Sequence, residues 1–452
     1  MADKMAAGPA GVTAVRAPEA SWRAWGVVAL FQFLYIFSYI DRTVISMLVQ
    51  PLKRDLHVND FTIGLLLGPA FVMFYALCGV PMGWLVDRFS RRWVTCLGML
   101  TWGLATITCG LSSTVAQLFI GRMGVGVGEA TLTPAAHSMI AERFPRHRLA
   151  LALSVFTLGV VFGTGIALGA GGVIVHLVTH APPVDLPVLG RVRAWQMVFL
   201  IVGAPTVLLS PLVFVLRESR TASSQRAARR DEPSGMAFFI QHWRLALWLP
   251  LGFAMSTVIT SGLGAWTPTY LIRIMGWNSA RAGLTYGVIV LCGGLIGQLA
   301  GAAIVDWLYA RGVRDAHCRY HIATHLITIP LLVLGFATGI PALLFLGLGA
   351  FYLITYPFGG YAMAALQLFA PNSARGRASA FYLAVSMVIG QTVGPTGIAW
   401  VTDYVLKDEM RLGPAIAIVC GVFSLLAITV LLQGAKAMRS AHATLPTVGA
   451  DA

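Results

Sequence analysis

The chain has 452 residues, 57 % of them hydrophobic and only 11 % charged, and its mean hydropathy is +0.76. Soluble globular proteins carry about 25 % charged residues, so a water-soluble enzyme with a polar shell is excluded, as are a disordered chain and a collagen-like fibre. The net charge of +14 raises nucleic acid as a partner, and the placement of the basic residues must decide that.

A bilayer core about 30 Å thick needs roughly 20 apolar residues per helix. Windows of that kind fall at 24–50, 61–83, 92–112, 115–139, 149–177, 195–216, 245–271, 280–306, 319–339, 341–369, 378–403 and 413–435. They predict an all-α membrane protein with twelve transmembrane helices. A β-barrel would show segments alternating in polarity, and runs such as 252–266 and 416–432 do not alternate. The first 23 residues hold no separate apolar stretch, so no cleavable signal peptide is expected and the first helix is its own insertion signal.

With both termini in the cytoplasm, the internal segments hold 22 Lys and Arg and the external loops 8. That excess matches the positive-inside rule. The basic balance is therefore a topology signal, and no nucleic-acid partner is expected. The predicted organisation is a cytoplasmic segment at 1–23, a six-helix bundle at 24–216 and a cytoplasmic linker at 217–244. A second six-helix bundle at 245–435 and a cytoplasmic tail at 436–452 complete it. Within the linker, 236–243 reads as a short interfacial helix. The scarcity of lysine, 4 against 28 arginines, and the lack of an Asn-x-Ser/Thr sequon point to a bacterial inner membrane.

The two bundles echo one another. Gly83-Trp84-Leu85-Val86-Asp87 recurs as Ala302-Ala303-Ile304-Val305-Asp306, and Phe144-Pro145 with Arg146 and Arg148 recurs as Phe369-Ala370-Pro371 with Arg375 and Arg377. Gly159 and Gly163 match Gly390 and Gly394. Two parallel repeats with a site between them describe a secondary transporter that alternates access.

The stretch Gly83-x-Leu85-x-Asp87-Arg88-x-x-Arg91-Arg92 closely resembles the helix 2–3 signature of the major facilitator superfamily. The resemblance implies that Gly83, Asp87, Arg88, Arg91 and Arg92 form a latch of the outward-facing state. The second-half copy has Ala302 in place of Gly83 and Trp307 in place of Arg88, so no symmetrical latch is expected there. Three further stretches resemble the spinster branch, bacterial type. They are Tyr39-Ile40-Asp41-Arg42, Arg122-x-Gly124-Val125-Gly126-Val127-Gly128-Glu129-Ala130, and the run from Pro134 to Pro145 that contains His137. Symporters of small organic anions carry a similar Tyr-x-Asp-Arg and Gly-Glu-Ala. Spinster relatives are linked to sphingosine-1-phosphate and lysophospholipid transport, which implies an amphipathic, anionic substrate, with a symporter of small organic anions or a non-transporting receptor on the same fold as the rival readings.

Four ionisable residues stand inside the apolar spans of the first half: Asp41, Arg42, Arg122 and Glu129. Charge at mid-membrane costs several kcal/mol, so such residues are functional candidates by default. Asp41 and Arg42 are neighbours about 100° apart on their helix and cannot simply neutralise each other. Each is expected to find its partner on the fourth helix, as Asp41 with Arg122 and Glu129 with either arginine. The carboxylates are candidate proton carriers; the plainer reading is a fixed cluster that holds helices together.

The second-half spans carry no such charges apart from Asp306 and Asp403 near their ends. Substrate shape is expected to be read there, by Trp266, Tyr270, Gln298, Tyr352, Thr355, Tyr356 and Gln367, with an anionic headgroup meeting Arg42 or Arg122. His137 is expected to pack at a helix end. Gly124, Gly126 and Gly128 read as close helix packing rather than a phosphate cradle. Six scattered cysteines suggest neither a metal site nor a disulfide framework. No cofactor, metal or enzymatic constellation is expected. The partners are protons, membrane lipids and a small substrate, and the chain is expected to be a monomer.

Overall fold

The computed structural model describes residues 22–181, 184–186, 190–216, 240–370 and 372–444. Eleven helices among them are long and apolar enough to cross a membrane. In chain order they are α1 (Trp22–Met47), α2 (Asp60–Arg88), α3 (Arg91–Leu111), α5 (Leu151–His180), α6 (Ala194–Val215) and α7 (Trp243–Arg273). They continue with α8 (Ser279–Ala310), α9 (Ala316–Thr338), α10 (Pro341–Gln367), α11 (Arg377–Leu406) and α12 (Glu409–Ala443). The twelfth, α4, is built from two pieces, Val115–Glu129 and Leu132–Ala141. It bends at Ala130–Thr131, where the Thr131 hydroxyl donates to the Gly128 carbonyl at 2.9 Å.

Local chemistry sets the helix ends. Thr114 caps α4 in a reciprocal box with Gln117, Asn278 accepts from the Arg281 amide at the start of α8, and Pro341 opens α10. Gly339 ends α9 at φ 70°, a left-handed conformation glycine adopts without strain. α1 ends in a tight turn over Ile45–Met47 and a bend at Leu48, from which a short helix, Val49–Leu56, leads to α2. A two-stranded antiparallel hairpin, Val184–Leu186 with Gly190–Val192, joins α5 to α6.

Two sequence expectations shift. The helix in the C-terminal region runs to Ala443, beyond residue 435, because its last turns are polar yet still helical. Residues 1–21 and 217–239, which hold most of the N-terminal segment and the linker, lie outside the described residues.

The two halves touch mainly at the end where α1 meets α2. There Val44, Leu52 and Ile63 of the first half share one core with Trp266, Tyr286, Ile398 and Leu412 of the second. α5 and α8 approach so closely that a Cβ on Gly172 would stand 2.4 Å from the Ser279 carbonyl. Towards the α2–α3 end the packing opens. Added Cβ atoms on Gly79 and Gly83 would meet nothing within 4 Å, and Leu77, Val80 and Trp84 are exposed. The halves are thus packed together at the α1–α2 end, and α2 is loosely packed towards the α2–α3 end.

Candidate functional site

The glycines of α4 decide where its charges go. A Cβ on Gly126 would lie 2.5 Å from the Phe71 carbonyl of α2, and one on Gly128 would lie 2.5 Å from the Trp102 amide of α3. Only glycine admits backbones that close. The approach presses Arg122 and Glu129, both 1 % exposed, against α1.

Two charge pairs result. Arg42 Nε donates to Glu129 Oε2 at 2.5 Å, and Ser38 Oγ donates to the same oxygen at 2.6 Å. Asp41 is fully buried and accepts from Trp102 Nε1 at 2.8 Å and from the Thr106 hydroxyl. Arg122 Nη1 stands 3.6 Å from Asp41 Oδ1, an ion pair without a hydrogen bond. The Arg42 guanidinium also lies over three rings, Tyr39 at 5.0 Å, Phe71 at 4.6 Å and Tyr75 at 4.8 Å. Asp41 Oδ1, Glu129 Oε1, and Arg122 Nε and Nη1 are buried without hydrogen-bond partners.

A second constellation escaped the sequence reading, at the closed end. Asp60 of α2 is fully buried and takes both oxygens to Arg273 of α7, at 2.7 and 2.8 Å. Lys53 reaches Asp60 at 2.8 Å and also Glu409. The Phe61 amide donates to Asp403 of α11 at 2.7 Å. Every residue here looked like an ordinary loop or helix-end charge, and only the fold shows that they join opposite halves.

A third lies inside the second half. Ser256 Oγ of α7 stands 2.8 Å from His321 Nε2 and 3.0 Å from His325 Nε2. The far nitrogens meet Tyr361 of α10 at 2.8 Å and Ser424 of α12 at 3.0 Å. A hydroxyl has one hydrogen and two lone pairs, so Ser256 donates to at most one ring and at least one neutral ring donates to it. These hydrogen bonds link four helices. Neutral histidines leave no mark in a charge count, which is why they went unnoticed.

The residues of the helix 2–3 motif have these surroundings. Arg91 pairs with Glu142 at the end of α4, Arg92 Nη1 donates to the Leu216 carbonyl at 3.4 Å, and Arg88 lies 5.2 Å over Trp84. Asp87 has an interaction of its own, and Gly83, expected to mediate close packing, has nothing against it in this state. His137 packs edge-on against Phe156.

The proposed shape-reading residues divide. Tyr356 is half-buried at the seam between halves, beside Gly294 of α8, and Gln298 is half-buried against Gly360. The others make contacts within the second half. Trp266 is fully buried and donates to the Pro395 carbonyl at 2.8 Å. Tyr270 packs edge-on against Phe336, and Tyr352 bonds Tyr286 at 2.6 Å. Thr355 bonds Thr328 at 2.8 Å, and Gln367 donates to Ser379 at 2.6 Å. The polar atoms of Trp266, Tyr352, Thr355 and Gln367 are thus bonded within the second half.

This arrangement of helices is a known one. The model of the Major Facilitator Superfamily matches residues 32–395. The chain belongs to that superfamily. It is thus a multi-pass integral membrane protein of a transporter family. An MFS-type efflux pump of Mycolicibacterium smegmatis is 28 % identical over 90 % of this chain and 91 % of that protein. Protein spinster homolog 1 of Xenopus tropicalis is 26 % identical over 62 % of this chain and 53 % of that protein. A probable galactarate/D-glucarate transporter of Pseudomonas putida is 26 % identical over 63 % of this chain and 65 % of its own length. Among solved structures, a bacterial homolog of the human lysosomal transporter spinster superposes with a TM-score of 0.73. It is 22 % identical and covers 93 % of this chain and 97 % of that one. Within the superfamily, then, this chain is similar to the spinster proteins.

Proposed function

We propose that this superfamily member is a proton-coupled secondary transporter of an amphipathic, anionic, lipid-like substrate of the lysolipid or sphingoid-phosphate class. The observation that carries the coupling is the pair of buried carboxylates, each set against an arginine and each keeping one oxygen without a hydrogen bond. A substrate anion competes with Glu129 for Arg42; once displaced, Glu129 carries a proton in place of the guanidinium. The rings of Tyr39, Phe71 and Tyr75 keep Arg42 in position while its counter-ion changes. Asp41 and Arg122 repeat the exchange one turn away.

The closed α1–α2 end and the open α2–α3 end support alternating access by rocking of the halves 24–216 and 245–435. The 22 basic residues on one side against 8 on the other support an open end and both termini in the cytoplasm, and the scarcity of lysine supports a bacterial inner membrane. The resemblance to spinster proteins supports the lipid-like substrate, and the acid-sugar relative supports a small organic anion as the alternative.

Proteoliposomes with an imposed pH gradient test the reading. Wild-type flux of a lysolipid accelerates with the gradient, whereas Glu129→Gln and Asp41→Asn bind substrate but lose that acceleration. Normal acceleration in either variant removes that carboxylate from the mechanism. Displacement of lysolipid by small hexarates at equal concentration overturns the substrate class.

A further inference from the structure

The far surface of the second half carries a basic pocket that transport does not use. At the turn between α8 and α9 the Asp315 carboxylate is buried, 1 % exposed, and is gripped by two arginines. Arg319 Nε stands 2.7 Å from one oxygen, and Arg439 near the end of α12 holds the other. Their side chains remain 60 % and 47 % exposed. A guanidinium has five donors and no acceptor, so most of their hydrogen-bonding capacity faces outward. Arg314 is exposed. These groups and Gly312 and Val313 line an open pocket of about 380 Å³. Three arginines against one carboxylate leave a formal charge of +2.

The pocket lies at the rim of the lipid-facing surface. α9 and α12 pack side by side, and both expose apolar side chains: Leu326 and Ile327 on one, Leu425 and Leu432 on the other. Trp307, half-exposed one turn before the pocket, stacks under Arg311 at 3.8 Å, the amphipathic pairing typical of the membrane–water boundary. α12 has 35 residues, about 52 Å at 1.5 Å each, against a hydrocarbon core of about 30 Å. Its last turns, with Arg439, therefore stand among headgroups.

We propose that this pocket binds the phosphate of an anionic phospholipid, with the acyl chains against α9 and α12. Planar guanidinium forks match phosphate oxygens bidentately, and basic pockets between helices at this depth suit such headgroups. Asp315 has two roles: it fixes Arg319 and Arg439 in the fork geometry, and it lowers the formal charge from +3 to +2, of which a singly charged diester neutralises one.

The test titrates phosphatidylglycerol, phosphatidylcholine or inorganic phosphate onto the full-length protein in detergent and follows the thermal midpoint. Phosphatidylglycerol is expected to raise the midpoint above phosphatidylcholine at equal concentration. Arg314→Gln, at an exposed side chain, weakens the phosphatidylglycerol response about fivefold and leaves the lipid-free midpoint unchanged. Equal stabilisation by the two lipids, or a wild-type response in Arg314→Gln, overturns the proposal. The same stabilisation by inorganic phosphate alone overturns the lipid assignment and makes this a free-phosphate site.

Discussion

Arg273→Ala removes two charge-assisted hydrogen bonds, at 2.7 and 2.8 Å, from a carboxylate that has no exposure to water. At about 1.5 kcal/mol each they favour the closed α1–α2 end by about 3 kcal/mol, and their loss raises the open fraction relative to the closed one roughly 150-fold. Glu409→Ala removes the cross-half partner of Lys53, but the Glu409 side chain is 55 % exposed. A screened pair of that kind contributes about 0.5 kcal/mol, roughly a twofold change. The probe is Ser46→Cys in a background free of the six native cysteines. Ser46 is 3 % exposed beneath Thr269 at the seam, and a membrane-impermeant thiol reagent reaches it only when that end opens. Labelling is expected to accelerate strongly in Arg273→Ala and barely in Glu409→Ala. Equal rates in wild type and Arg273→Ala, or equal acceleration in both variants, refute the argument from burial.

Ser256→Ala deprives His321 and His325 of their shared partner and costs about 2 kcal/mol, seen as a lower thermal midpoint in detergent; an unchanged midpoint means the chain of hydrogen bonds is not continuous. Gly128→Ala sets a Cβ 2.5 Å from the Trp102 amide and 2.6 Å from the Gly98 carbonyl. Backbone cannot yield as a side chain can, so about 3 kcal/mol is lost and the yield of folded protein falls. Gly83→Ala meets no atom within 4 Å and is expected to keep the wild-type midpoint while slowing turnover, since its close packing belongs to the opposite state. A stable Gly128→Ala or a destabilised Gly83→Ala contradicts the packing described.

Much of this was legible from residues because a membrane penalises charge so heavily. Asp41, Arg42, Arg122 and Glu129 stood out in apolar runs, and each did find its partner across the α1–α4 contact. The spans were legible for the same reason, and even the bend in α4 falls beside the charges that interrupt its apolar run. Three things were not. Asp60 and Arg273 sit at helix ends, where charge is ordinary, and 213 residues separate them. His321 and His325 carry no charge when neutral, and Ser256 lies 65 and 69 residues away from them. Trp266 and Tyr270 required knowledge of how α7 is rotated, which an all-apolar helix does not record in its pattern.

The short passage from α1 to α2 has a mechanical meaning. Arg42 lies three residues before the turn at Ile45–Met47, and Lys53 and Asp60 lie on the far side of it. The buried charges and the closing ion pairs are thus mounted on one covalent arm, bent at the buried Leu48, whose φ of −99° and ψ of 4° belong to neither flanking helix. A displacement of the arm at one end is delivered to the other through the backbone itself, like a rocker on a pivot, without relay through packed side chains. The stiffness of those four residues sets how faithfully one end reports to the other.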